Sequence, residues 1–413
     1  MFNPKKLDDF ARAYGFHYEC CDPDELIRDI LEAMDRGLRG EAPGLAMIPA
    51  YLSAAPRLEP GRQVIALDAG GTNLRAALVR FTPDGRAETE GLVKSAMPGT
   101  QGPAGADRFF DLLADAAAPL IESAKNIEGV GFCFSYPMEI TEDSDGVLIR
   151  FSKEIDAPEV IGRRIGAGLR DALARRGVKA PDRIVLLNDT AATLLSGLLQ
   201  IPPRAGQGAE DKYGAGAGPV IGFILGTGFN TAYPETRIPK IGFMSEDNPQ
   251  IVVCESGHFN PRCLGPLDRE FDAGTKNPGA YTLEKASAGA YLGPLTLRVL
   301  KQAVQDGLLT FRACGELLAW DTLQTRTLNE FMHAPLSAEG PVGSLFGADE
   351  LDAIRTAAYL TSMITKRGAL LSATVVAAMV EHLDAGRDPL APARIAVEGT
   401  TFLVYRGMRE ALE

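Results

Sequence analysis

Residues 64–81 read VIALDAGGTNLRAALVRF. Four apolar residues run into Asp68, then come Ala69, Gly70, Gly71, Thr72 and Asn73, and the chain turns apolar again. Two buried strands need only a two-residue turn of the Asn-Gly kind to form a hairpin. A carboxylate and two glycines at the tip therefore ask for another reason. Glycine lets the backbone approach a phosphate with no Cβ in the way, and successive N–H groups in such a turn form an anion-binding nest. A carboxylate beside phosphates makes sense when a cation stands between them, and Mg²⁺ keeps several waters while taking one or two carboxylates. The plainer alternative is a tight hairpin with Asp68 as a local turn-former. Short Gly-rich motifs are frequent, so this stretch alone leaves both open.

Residues 220–233, VIGFILGTGFNTAY, echo the first stretch. With Asn230 aligned on Asn73, Gly228 falls on Gly71. Each copy is an apolar strand, a Gly-rich turn, an Asn and a second apolar strand. The echo suggests two related halves facing each other. The aspartate occurs only in the first copy, and two Gly-rich tips with one carboxylate between them suit a nucleoside triphosphate with one metal ion.

Around these hairpins, apolar strands alternate with helices. Residues 22–38 read as a helix capped by Asp22, with Pro23 in the first turn, Glu25 at the capping-box position and a stripe of Leu26, Ile30 and Met34. GRAETEGLVKSAM is a possible third strand, ADRFFDLLADAAAPLIESA a helix, and IEGVGFCFSYPM and DRIVLLNDT buried strands, the last followed by the helix AATLLSGLL. The pattern indicates an α/β protein with a largely parallel sheet fed by an antiparallel hairpin. Residues 202–219, rich in Gly, Ala and Pro, read as a loop. Residues 364–383 form a small-residue core helix, and ARIAVEGTTFLV is a strand, a Gly-Thr-Thr turn and then the short closing helix YRGMREALE.

The chain has 413 residues, 46% of them hydrophobic, enough for a packed core and two or three domains. Its 42 basic and 54 acidic residues leave a formal charge of -12. That balance speaks against nucleic acid or a membrane surface as partner, though a locally positive pocket could still take an anion. The six cysteines, Cys20, Cys21, Cys133, Cys254, Cys263 and Cys314, show neither a CxxC pair nor zinc-ligand spacing. Reduced thiols in a cytoplasm are expected. The start, MFNPKKLDDF, lacks the apolar region of a signal peptide, and no uninterrupted apolar run reaches the length of a membrane span.

Asn188 and Asp189 stand where a strand leaves the sheet and a helix begins, the edge at which open α/β sheets bind ligands. By local sequence Asp189 or Thr190 could equally be a helix N-cap, and the two roles are compatible. Ser135, Ser152, Lys153, Asn230, Glu255 and Glu284 are polar residues at strand ends. Together they would make a pocket of carboxylate, amide and hydroxyl groups of the kind sugar hydroxyls demand.

In order along nearly the whole chain, these segments resemble the hexokinase family, in the sugar-kinase branch of the actin-like ATPase (ribonuclease H-like) fold. LEAMDRGLRG and GLAMIPAYL resemble its N-terminal helix and following loop, LDAGGTNLR its first phosphate motif, and GFCFSYP its sugar-binding strand. LLNDTAATLLSG resembles the segment with the catalytic aspartate, ILGTGFNTAY the second phosphate motif, and AVEGTTF the adenosine-binding turn. DREFDAGTKNPGAYTLEKASAGAYLG is the most diagnostic stretch, being long and rarely found elsewhere.

The resemblance implies a two-domain α/β fold with a cleft, residues 61–187 plus 401–413 forming a small domain and 1–60 plus 188–400 a large one. It implies ATP-dependent phosphorylation of a hexose, D-glucose the first expectation, at the 6-hydroxyl, the first step of glycolysis. Asp189 would be the general base on that hydroxyl. Asn188, Asn230, Glu255 and Glu284 would hold the other hydroxyls, and Ser135, Ser152 and Lys153 would close on the sugar. Asp68, Gly70, Gly71, Thr72 and Asn73 would handle phosphates and Mg²⁺, with Asp68 reaching the metal through water. Gly226, Thr227 and Gly228 would clamp phosphate from the other side, and Gly399 and Thr400 would lie against the adenosine. A cytoplasmic monomer or homodimer is expected. The alternatives are a kinase of mannose, fructose or an amino sugar, and a non-catalytic sugar sensor. Departures from the family pattern are Ser256 for the usual Trp after Glu255, Ser152 for Thr before Lys153, Glu398-Gly399-Thr400 for Asp-Gly-Ser, and a longer loop at 202–219. They leave the catalytic groups in place and bear on sugar and nucleotide preference.

Overall fold

The structure, a computed structural model, describes residues 2–55, 61–82, 86–151, 155–200 and 218–413. Two five-stranded sheets carry it. In the first, the strands run in the order Ala87–Ala96, Asn73–Phe81, Gln63–Gly70, Ile127–Phe134, Arg183–Leu187. The first three form an antiparallel meander, and the last two join it in parallel. In the second, the order is Ile48–Ser53, Gln250–Val253, Phe229–Glu235, Val220–Leu225, Arg394–Glu398, with only the last pairing parallel. One largely parallel sheet was expected; among the described residues there are two five-stranded mixed sheets and two small two-stranded ones. Apolar strand runs report burial on both faces and say little about direction. The echo between residues 64–81 and 220–233 corresponds to equivalent hairpins, one in each sheet.

Each sheet has its own core. Ile65, Leu67, Phe132 and Leu186 of the first sheet pack with helices Ala106–Ser123 and Ile165–Arg175. The second sheet packs through Phe223, Leu225 and Tyr233 on the N-terminal helices and on the 32-residue helix Leu351–His382. The helix Pro23–Arg39 starts as expected: Asp22 accepts from the N–H groups of Asp24 and Glu25, and Leu26, Ile30 and Met34 are buried. The expected grouping of residues 401–413 with the small domain is not what the packing shows. Phe402, Tyr405 and Met408 are buried in the larger core, where helix Met408–Leu412 lies on helix Leu351–His382. That long helix contains an 18-residue window apolar enough to cross a membrane, which a count of uninterrupted apolar residues does not register; 67% of the window is buried inside the protein.

A second correction concerns the thiols. Cys21 and Cys263 form a disulfide across 242 residues, with their Cα atoms 5.2 Å apart. Spacing in sequence could not reveal a pair that only the tertiary fold brings together. A crosslink closing so long a loop stabilises by about 2–4 kcal/mol. Reductant, or the substitution Cys263→Ser, should therefore lower the melting temperature by roughly 2–5 °C. An unchanged melting temperature together with six titratable thiols under non-reducing conditions would contradict the bond.

Candidate active site

The strand Arg183–Leu187 ends at the edge of the first sheet, and helix Asp189–Leu199 begins at once. Asn188 is the N-cap, its Oδ1 accepting the N–H of Ala191 at 2.8 Å. Asp189 is thus the first helical residue and is released from the capping role that local sequence allowed it. The helix N-terminus favours its negative charge. Thr193 donates its hydroxyl to the Asp189 carbonyl at 2.9 Å and faces Glu398 Oε2 at 3.1 Å, so the start of this helix is tied to the end of strand Arg394–Glu398.

Asn188 and Asp189 face a cavity of about 410 Å³. Ser135 lines it from the smaller body, Asn230 and Glu255 from the larger. Asn230 donates from Nδ2 to Glu255 Oε1 at 2.7 Å and accepts the N–H of Thr231 on Oδ1 at 2.8 Å, which fixes the orientation of its amide. Glu255 sits in the left-handed region at φ 55, ψ 42. A non-glycine residue there costs on the order of 1–3 kcal/mol and persists where the surroundings hold it. Burial pushes its carboxyl up from the ordinary range, the Asn230 hydrogen bond opposes this, and the charge of Asp189 adds to it. Glu284 is not on the cavity wall. Its Oε2 accepts the N–H of Phe229 at 2.9 Å, beside Gly228, and burial pushes its carboxyl up as well. Ser152 and Lys153 lie outside the described residues, as do residues 202–217 of the Gly/Ala-rich loop.

The hairpin tip stands next to this cavity. A Cβ on Gly70 would lie 3.4 Å from Ser135 Oγ and 3.5 Å from Asp68 Oδ1. Gly71 has φ 64, and its carbonyl accepts the Tyr136 hydroxyl at 2.7 Å, which fastens the turn to the strand end that carries Ser135. Thr72 accepts the Met97 N–H through its carbonyl, and Asn73 pairs with Gly70 at the hairpin end. Asp68 is half-exposed and bonded through Oδ2 to Arg75 Nη1 at 2.7 Å, a partner on the adjacent strand that the sequence reading missed. Between the two aspartates lies Cys133, whose thiol is pushed up to about 12 by burial and then by the charges of Asp189 and Asp68.

From the other side, the turn Gly226, Thr227, Gly228 is pinned by its own backbone. The Gly226 carbonyl accepts from Gly289 N–H at 2.8 Å and from the Thr401 hydroxyl at 2.7 Å. Gly399, at φ 125, lies so close that a Cβ on it would sit 2.3 Å from the Leu225 carbonyl. Thr227 and Thr400 line a second cavity of about 530 Å³ with Gly289, Ala290, Thr325 and Asn329. Among the described residues no group of three or more His, Cys, Asp or Glu side chains could hold a metal by itself. One half-exposed carboxylate beside a glycine turn does fit a hydrated Mg²⁺ that takes its remaining ligands from nucleotide phosphates.

A sheet-edge aspartate, an amide- and carboxylate-lined cavity and two facing Gly-rich turns match what is known of other chains. A hexokinase family model matches residues 10–199, and a second hexokinase model matches residues 220–413. The chain belongs to the hexokinase family. This hexokinase-family chain is 28% identical to rice Hexokinase-1, over 95% of its own length and 82% of the rice protein. It is 28% identical to human Hexokinase-3, over 91% of its own length and 40% of the human protein. A hexokinase of Schistosoma mansoni, solved in complex with glucose, superposes on all of this chain and 92% of the other with a TM-score of 0.74 at 21% identity. That likeness establishes the fold, the two-domain actin-like ATPase architecture. As a hexokinase the protein is a sugar kinase, and its reaction is the phosphorylation of a hexose.

Sequence reasoning missed Tyr136, Arg150, His258 and Tyr281 on the cavity wall. Tyr136 adjoins Ser135 in FSYP and could have been found. Tyr281 lies in the diagnostic stretch DREFDAGTKNPGAYTLEKASAGAYLG, though nothing local marks it as a wall residue, and Arg150 and His258 come from two other segments with no signal of their own.

Proposed function

We propose that this protein transfers the γ-phosphoryl group of ATP to the 6-hydroxyl of D-glucose, giving glucose 6-phosphate and ADP, as the entry step of glycolysis. The observation that carries the proposal is the convergence of Ser135, Asn188, Asp189, Asn230 and Glu255 on one cavity beside the Asp68 hairpin. Asp189 accepts the hydroxyl proton as the oxygen bonds to phosphorus, and Asn188, Asn230 and Glu255 orient the remaining hydroxyls. Phosphoryl transfer leaves the protein little covalent work, so the rate rests on positioning and on charge stabilisation. Asp68 would hold Mg²⁺ through water. The ion, when bound, would neutralise charge on the phosphates. The Gly70-Gly71 and Gly226–Gly228 turns would cradle those phosphates, with the nucleoside in the cavity that Thr227 and Thr400 share. A sensor without catalysis would have no need of both Asp189 and Asp68, and both are present.

ADP release should be measured with ATP, Mg²⁺ and a panel of glucose, mannose, fructose, glucosamine and N-acetylglucosamine. Glucose is expected to give the highest kcat/KM. ADP release no faster with any sugar than without sugar would refute the proposal.

A further inference from the structure

The stretch DREFDAGTKNPGAYTLEK has a structural job. Asp268 meets the fully buried Arg367 through two hydrogen bonds of 2.6 and 2.7 Å, which seats the start of the segment on the long helix. Asp272 accepts from the buried Lys285 ammonium on one oxygen and from the Gly279 N–H at 2.7 Å on the other. Lys285 also donates to the Asn277 carbonyl at 2.7 Å. These bonds fold the loop back on itself and deliver Tyr281 to the cavity wall in the left-handed region, at φ 57, ψ 37. A tyrosine held in that conformation is a strained residue kept in place by its surroundings.

Two further wall residues hold its side chain. The His258 ring lies 3.8 Å from the Tyr281 ring, centroid to centroid, tilted by 40°. Arg150 donates from Nη2 to the Tyr281 hydroxyl at 3.1 Å. Arg150 follows strand Gly146–Leu148 of the smaller body, whereas His258 and Tyr281 belong to the larger, so the bond crosses between the bodies. Arg150 and His258 are exposed while also lining the cavity, which puts them on its rim. The partial burial of its ring, and then the charge of Arg150, lower the affinity of His258 for a proton.

We propose that Arg150, Tyr281 and His258 form a clasp on the rim of the sugar cavity. The clasp narrows the pocket around a hexose with small substituents, shuts out sugars with a bulky acyl group, and takes no part in the transfer. The proposal rests on the reading of this cavity as the sugar site. Contacts made equally to the bound sugar and to the transition state change KM and leave kcat alone.

The test is steady-state kinetics with ATP and Mg²⁺ on the wild type, Tyr281→Phe, Arg150→Ala, the double variant and Tyr281→Ala. Tyr281→Phe and Arg150→Ala should each raise the glucose KM by about 3–10-fold, the cost of one charge-assisted hydrogen bond on a partly exposed rim. The double variant should be no worse than either single one, since both remove the same bond. Tyr281→Ala should raise the glucose KM by about 10–100-fold and increase the kcat/KM for N-acetylglucosamine relative to glucose. In the three variants that lack only this bond, kcat should stay within about twofold. An unchanged glucose KM, additive effects, or a loss confined to kcat would overturn the clasp, and the Phe and Arg150 variants decide the matter even if Tyr281→Ala does not fold. A wild type that turns over glucose beside variants of unchanged KM removes the clasp alone. A wild type that turns over no hexose removes the sugar-site reading beneath it.

Discussion

Asp189→Asn should lose about 10²–10⁴-fold in kcat, the usual contribution of a positioned base, while ATP affinity hardly changes. Asn keeps the shape of the side chain and one hydrogen bond but cannot take the proton from the sugar hydroxyl. Asp189→Ala should be similarly slow. Neither substitution removes the helix cap, because Asn188 supplies it through the bond to the Ala191 N–H. The carboxylate contributes about 0.3–1 kcal/mol through the helix dipole, so the melting temperature should fall by no more than about 1 °C. Asn188→Ala behaves differently: loss of the cap costs about 1 kcal/mol. Because Asn188 also lines the cavity, Asn188→Ala should lose both stability and sugar affinity, whereas Asp189→Asn should lose turnover with little loss of stability. An Asp189→Asn variant with near wild-type turnover would show that the proton leaves by another route.

Asp68→Ala should lose on the order of 10²–10³-fold in turnover at ordinary Mg²⁺, comparable to removing one preorganised electrostatic contact from a reacting site. Sugar binding, followed by the change in tryptophan or tyrosine fluorescence, should stay close to that of the wild type, because Asp68 does not line the sugar cavity. Raising Mg²⁺ should recover part of the lost rate, since the phosphates themselves still bind the ion. The substitution also leaves Arg75 without its 2.7 Å partner. Arg75 is about half exposed, so water can solvate the freed charge and stability should hardly change. Near-normal turnover of Asp68→Ala at ordinary Mg²⁺ would refute the metal role.

The parts of this site that were legible in the sequence are the local ones. A strand, its turn and the next strand are contiguous, so the Asp68 hairpin and the Gly226–Gly228 turn show as apolar runs broken by glycine. Asn188 and Asp189 show as a strand-to-helix junction. Local sequence could not say which of the two caps the helix, because both residue types cap well; only the Asn188–Ala191 bond decides it. The rim was illegible for a different reason. Arg150, His258 and Tyr281 come from three separate segments too short for periodicity; His258 and Tyr281 meet inside the larger body, and Arg150 reaches Tyr281 only because the two bodies pack side by side. The Cys21–Cys263 bond was hidden in the same way. Residues 401–413 went to the wrong domain because a short segment with Phe402, Tyr405 and Met408 has no pattern to tell which core it joins. Glu284 has one carboxylate oxygen, Oε2, on the Phe229 N–H at 2.9 Å, a contact that its motif does not foretell.

The most direct measurement is the identity of the product. The protein should be incubated with ATP, Mg²⁺ and glucose, and the sugar phosphate examined by phosphorus–proton correlated NMR. The site as described predicts a phosphorus coupled to the protons on carbon 6, formed in step with ADP and about 10²–10⁴-fold more slowly when Asp189→Asn replaces the wild type. Phosphorus on another carbon, or ADP formed with no sugar phosphate, would contradict it.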